Sequence, residues 1–234
     1  MINTNHLIEE IKKGALDEKL LDIYIDETKL EYQKARYVKA IEKFEKIYGE
    51  TDVTLFSAPG RTEVGGNHTD HQHGEVLAAY INNDAIAIVE PTDEAVVKVV
   101  SDGYSMIAVS LDNLELDEEE KESTLSLIKG VLAGVKNRGY KVGGFKAYIT
   151  SDVLIGAGLS SSAAFETLIG TIASGLYNDM QISATEIAII GQYAENVYFG
   201  KPCGLMDQMA CSVGSLVHID FANPKEPVVE KVDG

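Results

Sequence analysis

Arginine is scarce in this chain: Arg36, Arg61 and Arg138 are the only three among 234 residues. Acidic side chains outnumber basic ones by 37 to 20, which leaves a formal net charge of −17. So few cations provide no basic stripe for nucleic acid and no attraction to an anionic membrane surface. A polyanionic ligand would need positive potential raised locally, by backbone dipoles, a metal ion or a few cations. An arginine inside a glycine-rich motif, such as Arg61, therefore stands out. Cysteine is limited to Cys203 and Cys211, which excludes a disulfide framework and makes a reducing cytoplasm the expected location. Residues Met1–His6 have neither a basic n-region nor an apolar h-region, so no signal peptide is expected. Long hydrophobic runs are also missing. The weakly polar stretch from about 153 to 176 is interrupted by serines, glycines and Glu166, and reads as a buried loop and helix rather than a membrane span. What is present, 45% hydrophobic and 24% charged residues, describes a globular chain long enough for one or two domains. The triplet Asn67-His68-Thr69 matches a glycosylation acceptor, but without secretion it reads as chance.

Apolar residues recur at helical spacing from about 6 to 48, with breaks expected at Gly14 and at Asp26-Glu27-Thr28. Val53–Ser57 reads as a short strand ended by Pro59-Gly60. Strand-like runs follow at 76–81, 85–89, 96–100, 106–111 and 145–150. A helix is expected over 118–136 with Gly139 just beyond it. Two more are expected, from the serine run to about Tyr177 and from an N-cap at Ser183 to about Phe199. Strands close the chain at 216–219 and begin again at Val228. Strands in a meander followed by helices alternating with single strands argue for an α+β fold with a mixed or mostly antiparallel sheet, not a doubly wound parallel one.

Three segments carry chemistry. In Gly156-Ala157-Gly158-Leu159-Ser160-Ser161-Ser162-Ala163-Ala164, small residues free the backbone and hydroxyls open a helix. Such a terminus offers unpaired N–H groups and the positive end of the helix dipole to a phosphate. It lacks the lysine of a Walker A loop, and the third glycine and distal acid of a Rossmann fingerprint are missing. A serine-capped helix is the plainer reading; the consecutive hydroxyls favour anion binding. The segment from Ser57 to His71 delivers a strand to Pro-Gly, then crowds Asn67, His68, Thr69 and Asp70 into a short loop, which suits a ligand rich in hydroxyls. A polar surface loop is the rival reading. Zinc on His68, Asp70, His71 and His73 fits no standard ligand spacing. The third segment, Gly200 to Met209, puts Asp207 in an apolar setting where it needs a cation to stay ionised; Arg61 is the candidate, against the plainer reading of Asp207 as a helix cap. Glu195, on the preceding helix, is a candidate magnesium ligand, against the default of a solvated glutamate.

In chain order the three segments resemble the galactokinase family of the GHMP small-molecule kinases, which also includes homoserine, mevalonate and phosphomevalonate kinases. Gly60–Asp70 resembles the galactokinase signature, Gly156–Ala164 the superfamily's phosphate-binding motif, and Gly204-Leu205-Met206-Asp207-Gln208 the segment holding the catalytic aspartate. The resemblance implies a ribosomal protein S5 domain 2-like fold with a mixed sheet and helices packed on one side. It also implies an extra helical segment at 1–30 before the kinase N-terminal domain at 31–234. The implied activity is ATP-dependent phosphorylation of galactose at C1. Asp207 would be base or electrostatic anchor, with Arg61 holding it ionised. Asn67, His68, Thr69, Asp70 and Gly204 would contact the sugar. Gly156, Ala157, Gly158, Leu159, Ser160, Ser161 and Ser162 would cradle ATP, and Ser162 with Glu195 would hold Mg²⁺. Galactose and ATP are the implied partners, with no nucleic acid and no membrane.

The chain departs from the family pattern at Asn67, usually glutamate; at Leu154, usually proline; and at His71, commonly tyrosine. The resemblance also implies a C-terminal half that this chain lacks, so the chain is expected to be an N-terminal portion with little activity alone. Rival readings are a sugar and ATP sensor on the same fold, and a kinase for N-acetylgalactosamine. Arg61 and Asp207 are expected within ion-pair range, about 4 Å.

Overall fold

The computed structural model describes residues 1–24, 26–65, 75–153, 161–213, 217–220 and 228–231; within it, residues 61–65, 75–82, 161, 217–220 and 228–231 are described by their backbone alone. The elements run β1 (Ile2–Asn3), α1 (Thr4–Lys12), α2 (Asp17–Tyr24), α3 (Leu30–Tyr48), β2 (Asp52–Gly65), β3 (Glu75–Pro91), β4 (Val96–Ser101), β5 (Ile107–Ser110), α4 (Thr124–Asn137), β6 (Phe145–Ser151), α5 (Ser161–Tyr177) and α6 (Ala184–Tyr193). A π-helical segment (Ala194–Phe199) continues α6, and α7 (Met206–Val213), β7 (Val217–Asp220) and β8 (Val228–Lys231) follow. The sheet order is β1-β2-β3-β6-β4-β5, with β7 on β3 and β8 on β7. Only the β4–β6 pair is parallel among the described pairings. The fold is α+β with a mixed sheet.

Strand β3 explains why two helical layers form. Successive side chains of a strand point to opposite faces, and here both faces are apolar. Ala85, Ala87 and Val89 join Val97, Val99, Phe145, Ala147 and Ile149 beneath α4, α5 and α6, whose Ile128, Leu132, Leu168, Ile172 and Ile190 fill the other side. Ile86 and Ile88, with Tyr148 of β6, face Leu7, Ile11, Leu20, Tyr24, Tyr37, Ile41 and Phe44 of α1, α2 and α3. Each fully buried aliphatic side chain contributes about 1.5–3 kcal/mol, and neither layer could expose its stripe without losing several such terms. Helices on one side therefore describe α4 to α7; α3, with α1 and α2, covers the opposite face as well.

Pro59-Gly60 does not end β2. The strand runs on to Gly65 with a register shift between Pro59 and Gly60, a bulge being one of the few places a sheet tolerates proline. The expected strands at 76–81 and 85–89 are one strand, β3, which turns through the same bulge. The helix expected over 118–136 is instead a 3₁₀ turn at Glu118–Glu120 followed by α4. Ser123 stands between them and accepts from the Ser126 N–H at 3.1 Å. Gly139 ends α4 with φ +86°, a conformation that favours glycine. Ser183 caps α6 in a reciprocal capping box with Glu186. Helix α7 was not expected beyond the possibility of a short capped turn.

Close approach of α4 to the π segment depends on Gly130. A Cβ there would lie 2.8 Å from the Ala194 Cβ, 2.9 Å from the Ala194 Cα and 2.9 Å from the Tyr198 Cβ. Gly130→Ala is expected to destabilise the protein by about 1–3 kcal/mol through overpacking, despite alanine's better helix propensity. Chemical denaturation checks this; a midpoint equal to or above that of the parent contradicts the packing argument.

Candidate active site

Three helical elements, the start of α5, the π segment and α7, come together at the site. The close approach is made by glycine: a Cβ at Gly191 would meet Gln208 Cγ and the Glu166 Oε2 at 3.1 Å each, and one at Gly134 would meet Ile190 Cγ2 at 2.9 Å. The chain then turns at Gly200, with φ +85°, and is tied back: the N–H groups of Gly200 and Lys201 donate to the Glu195 carbonyl at 3.0 and 3.1 Å. The Cys203 N–H donates to Asn196 Oδ1 at 2.7 Å, and Gln192 Nε2 donates to the Cys203 carbonyl at 3.3 Å. These bonds fold residues 200–205 against the π segment and so bring the start of α7 beside Glu195. A π-helical turn inside an α-helix often marks a functional position.

At the centre, the Gln208 amide nitrogen donates to Glu195 Oε2 at 2.8 Å and to Glu166 Oε2 at 3.2 Å. Ser162 Oγ lies 3.5 Å from Glu195 Oε1, the outer limit of a hydrogen bond. Glu166 and Gln208 are each 1% exposed and Glu195 8%, so Glu195 is no solvated helix-face residue. Burial, reinforced by the neighbouring Glu195 carboxylate, holds the Glu166 carboxyl well above the ordinary carboxylate range. Burial beside the same carboxylates pushes the Cys203 thiol up, which leaves it unreactive. Asp207 occupies the first turn of α7, half-buried, with Gly204 half-buried just before it. A carboxylate there is favoured by the helix dipole.

Of the expected site residues, the structure brings Ser162 and Glu195 together and sets Asp207 next in sequence to the glutamine that binds Glu195. The side chain of Arg61, residues Asn67, His68, Thr69 and Asp70, residues Gly156, Ala157, Gly158, Leu159 and Ser160, and the side chain of Ser161 lie outside the described residues. The expected Arg61–Asp207 ion pair lies outside them with Arg61. Ser162 Oγ and Glu195 Oε1 are hard oxygen donors of the kind magnesium takes. Among the described residues no group of three or more His, Cys, Asp or Glu is placed to hold a metal ion. A cation here would take further oxygens from a phosphate ligand and water, the usual habit of magnesium.

Sequence reading did not single out Glu166 or Gln208. The signal was available: Glu166 interrupts an apolar helical stripe one turn after Ser162, and a charge at a core position needs a partner.

Comparison with known proteins bears on this geometry. The model of the GHMP kinases N terminal domain matches residues 126–215, the stretch containing Ser162, Glu166, Glu195, Asp207 and Gln208. The galactokinase galactose-binding signature matches residues 42–91, the stretch containing Arg61 to Asp70. Over these two stretches the chain is similar to the GHMP kinases. A galactokinase of Clostridium tetani (strain Massachusetts / E88) is 34% identical to this chain over 173 residues, covering 74% of the chain and 44% of the relative. The galactokinase of Lactococcus lactis complexed with galactose superposes with a TM-score of 0.74 at 28% identity, over 82% of this chain and 50% of that one. The Methanococcus jannaschii mevalonate kinase shares the fold, with a TM-score of 0.64 at 18% identity over 78% of this chain and 56% of its own. The chain thus spans about half the length, or less, of the galactokinases it matches.

The raised Glu166 carboxyl has a consequence for stability. A carboxyl whose folded-state value lies above its unfolded value stabilises most when protonated, so that contribution is present below about 4.5 and is lost as pH rises above it. Glu166→Gln removes the titration while keeping shape and hydrogen-bonding capacity. The variant is expected to gain on the parent as pH rises from the mid-4s towards neutrality. Denaturation midpoints across that window test it; a constant or shrinking gap contradicts a protonated Glu166.

Proposed function

We propose that the protein transfers the γ-phosphoryl group of ATP to the C1 hydroxyl of galactose. The observation that carries this reading is the run Ser162–Glu195–Gln208, which joins the start of the helix after the glycine-serine segment to the turn that bears Asp207. The match of residues 42–91 to a galactose-binding signature supports the choice of sugar.

In this reading the glycine-serine segment, Gly156 to Ser162, receives the ATP phosphates. Asn67, His68, Thr69 and Asp70 with the Gly204 backbone orient the sugar. Asp207 takes the C1 hydroxyl proton as the oxygen bonds to the γ-phosphorus and the bond from that phosphorus to the bridging oxygen of ADP breaks. Arg61 keeps Asp207 ionised and meets charge on the moving group. Ser162 and Glu195 hold Mg²⁺, which neutralises phosphate charge when bound. Gln208 fixes one oxygen of Glu195 and leaves the other turned towards Ser162. Little covalent work is asked of the protein; positioning and charge neutralisation suffice for phosphoryl transfer. A net charge of −17 makes the cation and the helix terminus the local source of positive potential.

The segment at 1–30 serves in this reading as a cover for the second face of the sheet, ahead of a kinase domain at 31–234. No helix among the described residues is long and apolar enough to cross a membrane. Both cysteines are free, which suits a reducing cytoplasm, and we place the protein there. Asn67 favours one second reading. An amide can donate as well as accept, which suits the acetamido oxygen of N-acetylgalactosamine.

Galactose-dependent release of ADP by the full-length protein tests the assignment, with N-acetylgalactosamine as the competing substrate. Asp207→Ala is expected to lower turnover by about 10²–10⁴-fold, the range of a lost general base, while nucleotide affinity stays within a factor of about two. Loss of nucleotide binding in that variant, or equal turnover, contradicts the role given to Asp207.

A further inference from the structure

Arg36, one of only three arginines, lies on α3 away from the carboxylate cluster of Glu166 and Glu195. Its side chain is 7% exposed and makes an ion pair with Asp84, itself 5% exposed. Both terminal nitrogens of the fork donate. Nη1 donates to Asp84 Oδ1 at 2.6 Å and Nη2 to the Asp84 carbonyl at 2.7 Å. Nη1 also reaches Gln33 Oε1 at 3.2 Å. Nε lies 3.3 Å from Asp152 Oδ2.

The positions of the two acids matter more than the pair itself. Asp84 sits at the bulge of the β2–β3 pair: it faces Pro59, and the next paired position jumps to Gly60 opposite Ile81. Its Oδ2 accepts from the Tyr24 hydroxyl at 2.8 Å and from Ser57 Oγ. Beyond that bulge β2 continues into Arg61 and the segment given to the sugar. Asp152 stands at the end of β6, two positions before Leu154, where the chain passes into the segment given to the phosphates. Its N–H donates to the Asp84 carbonyl at 2.9 Å, and its carboxylate accepts from the Tyr32 hydroxyl at 3.1 and 3.0 Å. One guanidinium therefore grips the root of both ligand segments and ties them to the same helix. The bulge is tightly defined too: a Cβ on Gly60 would meet Val153 Cγ2 at 3.0 Å and the Asn83 carbonyl at 3.2 Å.

We propose that Arg36 is a positioning residue that couples the sugar segment to the phosphate segment, so that binding of one ligand prepares the site for the other. A buried ion pair is poor evidence for stability as such, since its desolvation cost offsets much of the attraction. A purely structural brace could be apolar. Contacts to the Asp84 carboxylate and carbonyl and to the Asp152 carboxylate just beyond β6 suit a planar fork, which lysine does not have. The inference rests on the kinase reading above, because that reading assigns the ligands.

The test is calorimetry on the full-length protein, titrating a non-hydrolysable ATP analogue with Mg²⁺ in the absence and presence of saturating galactose. In the parent, galactose is expected to tighten nucleotide binding by about 5–10-fold, the low end of ordinary coupling between sites. Arg36→Lys and Asp152→Asn are each expected to reduce that factor to within about twofold of unity, with each ligand alone still binding. A brace with no coupling role would lower the unfolding midpoint and leave the factor untouched. Should Arg36→Lys fail to fold by circular dichroism, Asp152→Asn and Tyr32→Phe, whose Asp152 is more exposed, decide in the same way. A parental coupling factor in the folded variants, or a parent that binds both ligands independently, overturns the proposal. A parent that binds neither overturns the kinase reading and takes the proposal with it.

Discussion

Burial of β3 on both faces is the constraint from which the architecture follows. Alternation along Ala85–Val89 sends small residues towards α4, α5 and α6, and isoleucines towards α1, α2 and α3. One strand therefore holds two helical layers in register. The same strand pairs with β2, which leads into the sugar signature, and with β6, which leads into the glycine-serine segment. A one-residue slip of β3 would exchange its faces, burying isoleucine where alanine now allows α5 to approach. The spacing between the two ligand segments is thus set by backbone pairing before any side chain of a site is considered.

On that frame, the carboxylate cluster is built by close helix approach. Gly130, Gly134 and Gly191 let α4, α6 and α7 meet at distances that a methyl group would forbid. The outcome places two acids, Glu166 and Glu195, around one amide in a nearly dry setting. Two like charges so near each other are costly at low dielectric, and burial together with this proximity holds the Glu166 carboxyl above its ordinary range. Glu195 is left as the acid directed to Ser162, beside the turn that carries Asp207.

Much of the fold was legible because its signals are local. Apolar spacing marked α3, Ser183 as an N-cap marked α6, and the hydroxyl run marked the start of α5. Misreadings came where tertiary context overrides local rules. Pro59-Gly60 looks like a stop, yet a bulge accommodates it. The run at 118–136 looks continuous, yet Ser123 caps a new helix after a 3₁₀ turn. Site legibility followed the same division. The motifs and the family resemblance pointed to Ser162, Glu195 and Asp207, whereas Arg36 and Glu166, which lie in no motif, and Gln208, which lies in one but was given no role, draw their importance from contacts across more than one element. Scarcity of arginine drew notice to Arg61, and applied equally to Arg36.

The central claim is that the glycine-serine segment, a hexose and Asp207 share one crevice. A crystal structure of the full-length protein with galactose, a non-hydrolysable ATP analogue and magnesium tests it most directly. The account predicts the C1 hydroxyl within hydrogen-bond reach of Asp207, about 2.6–3.2 Å, with the metal on Ser162 and Glu195. A sugar bound elsewhere, or phosphates on a face remote from Asp207, would contradict it.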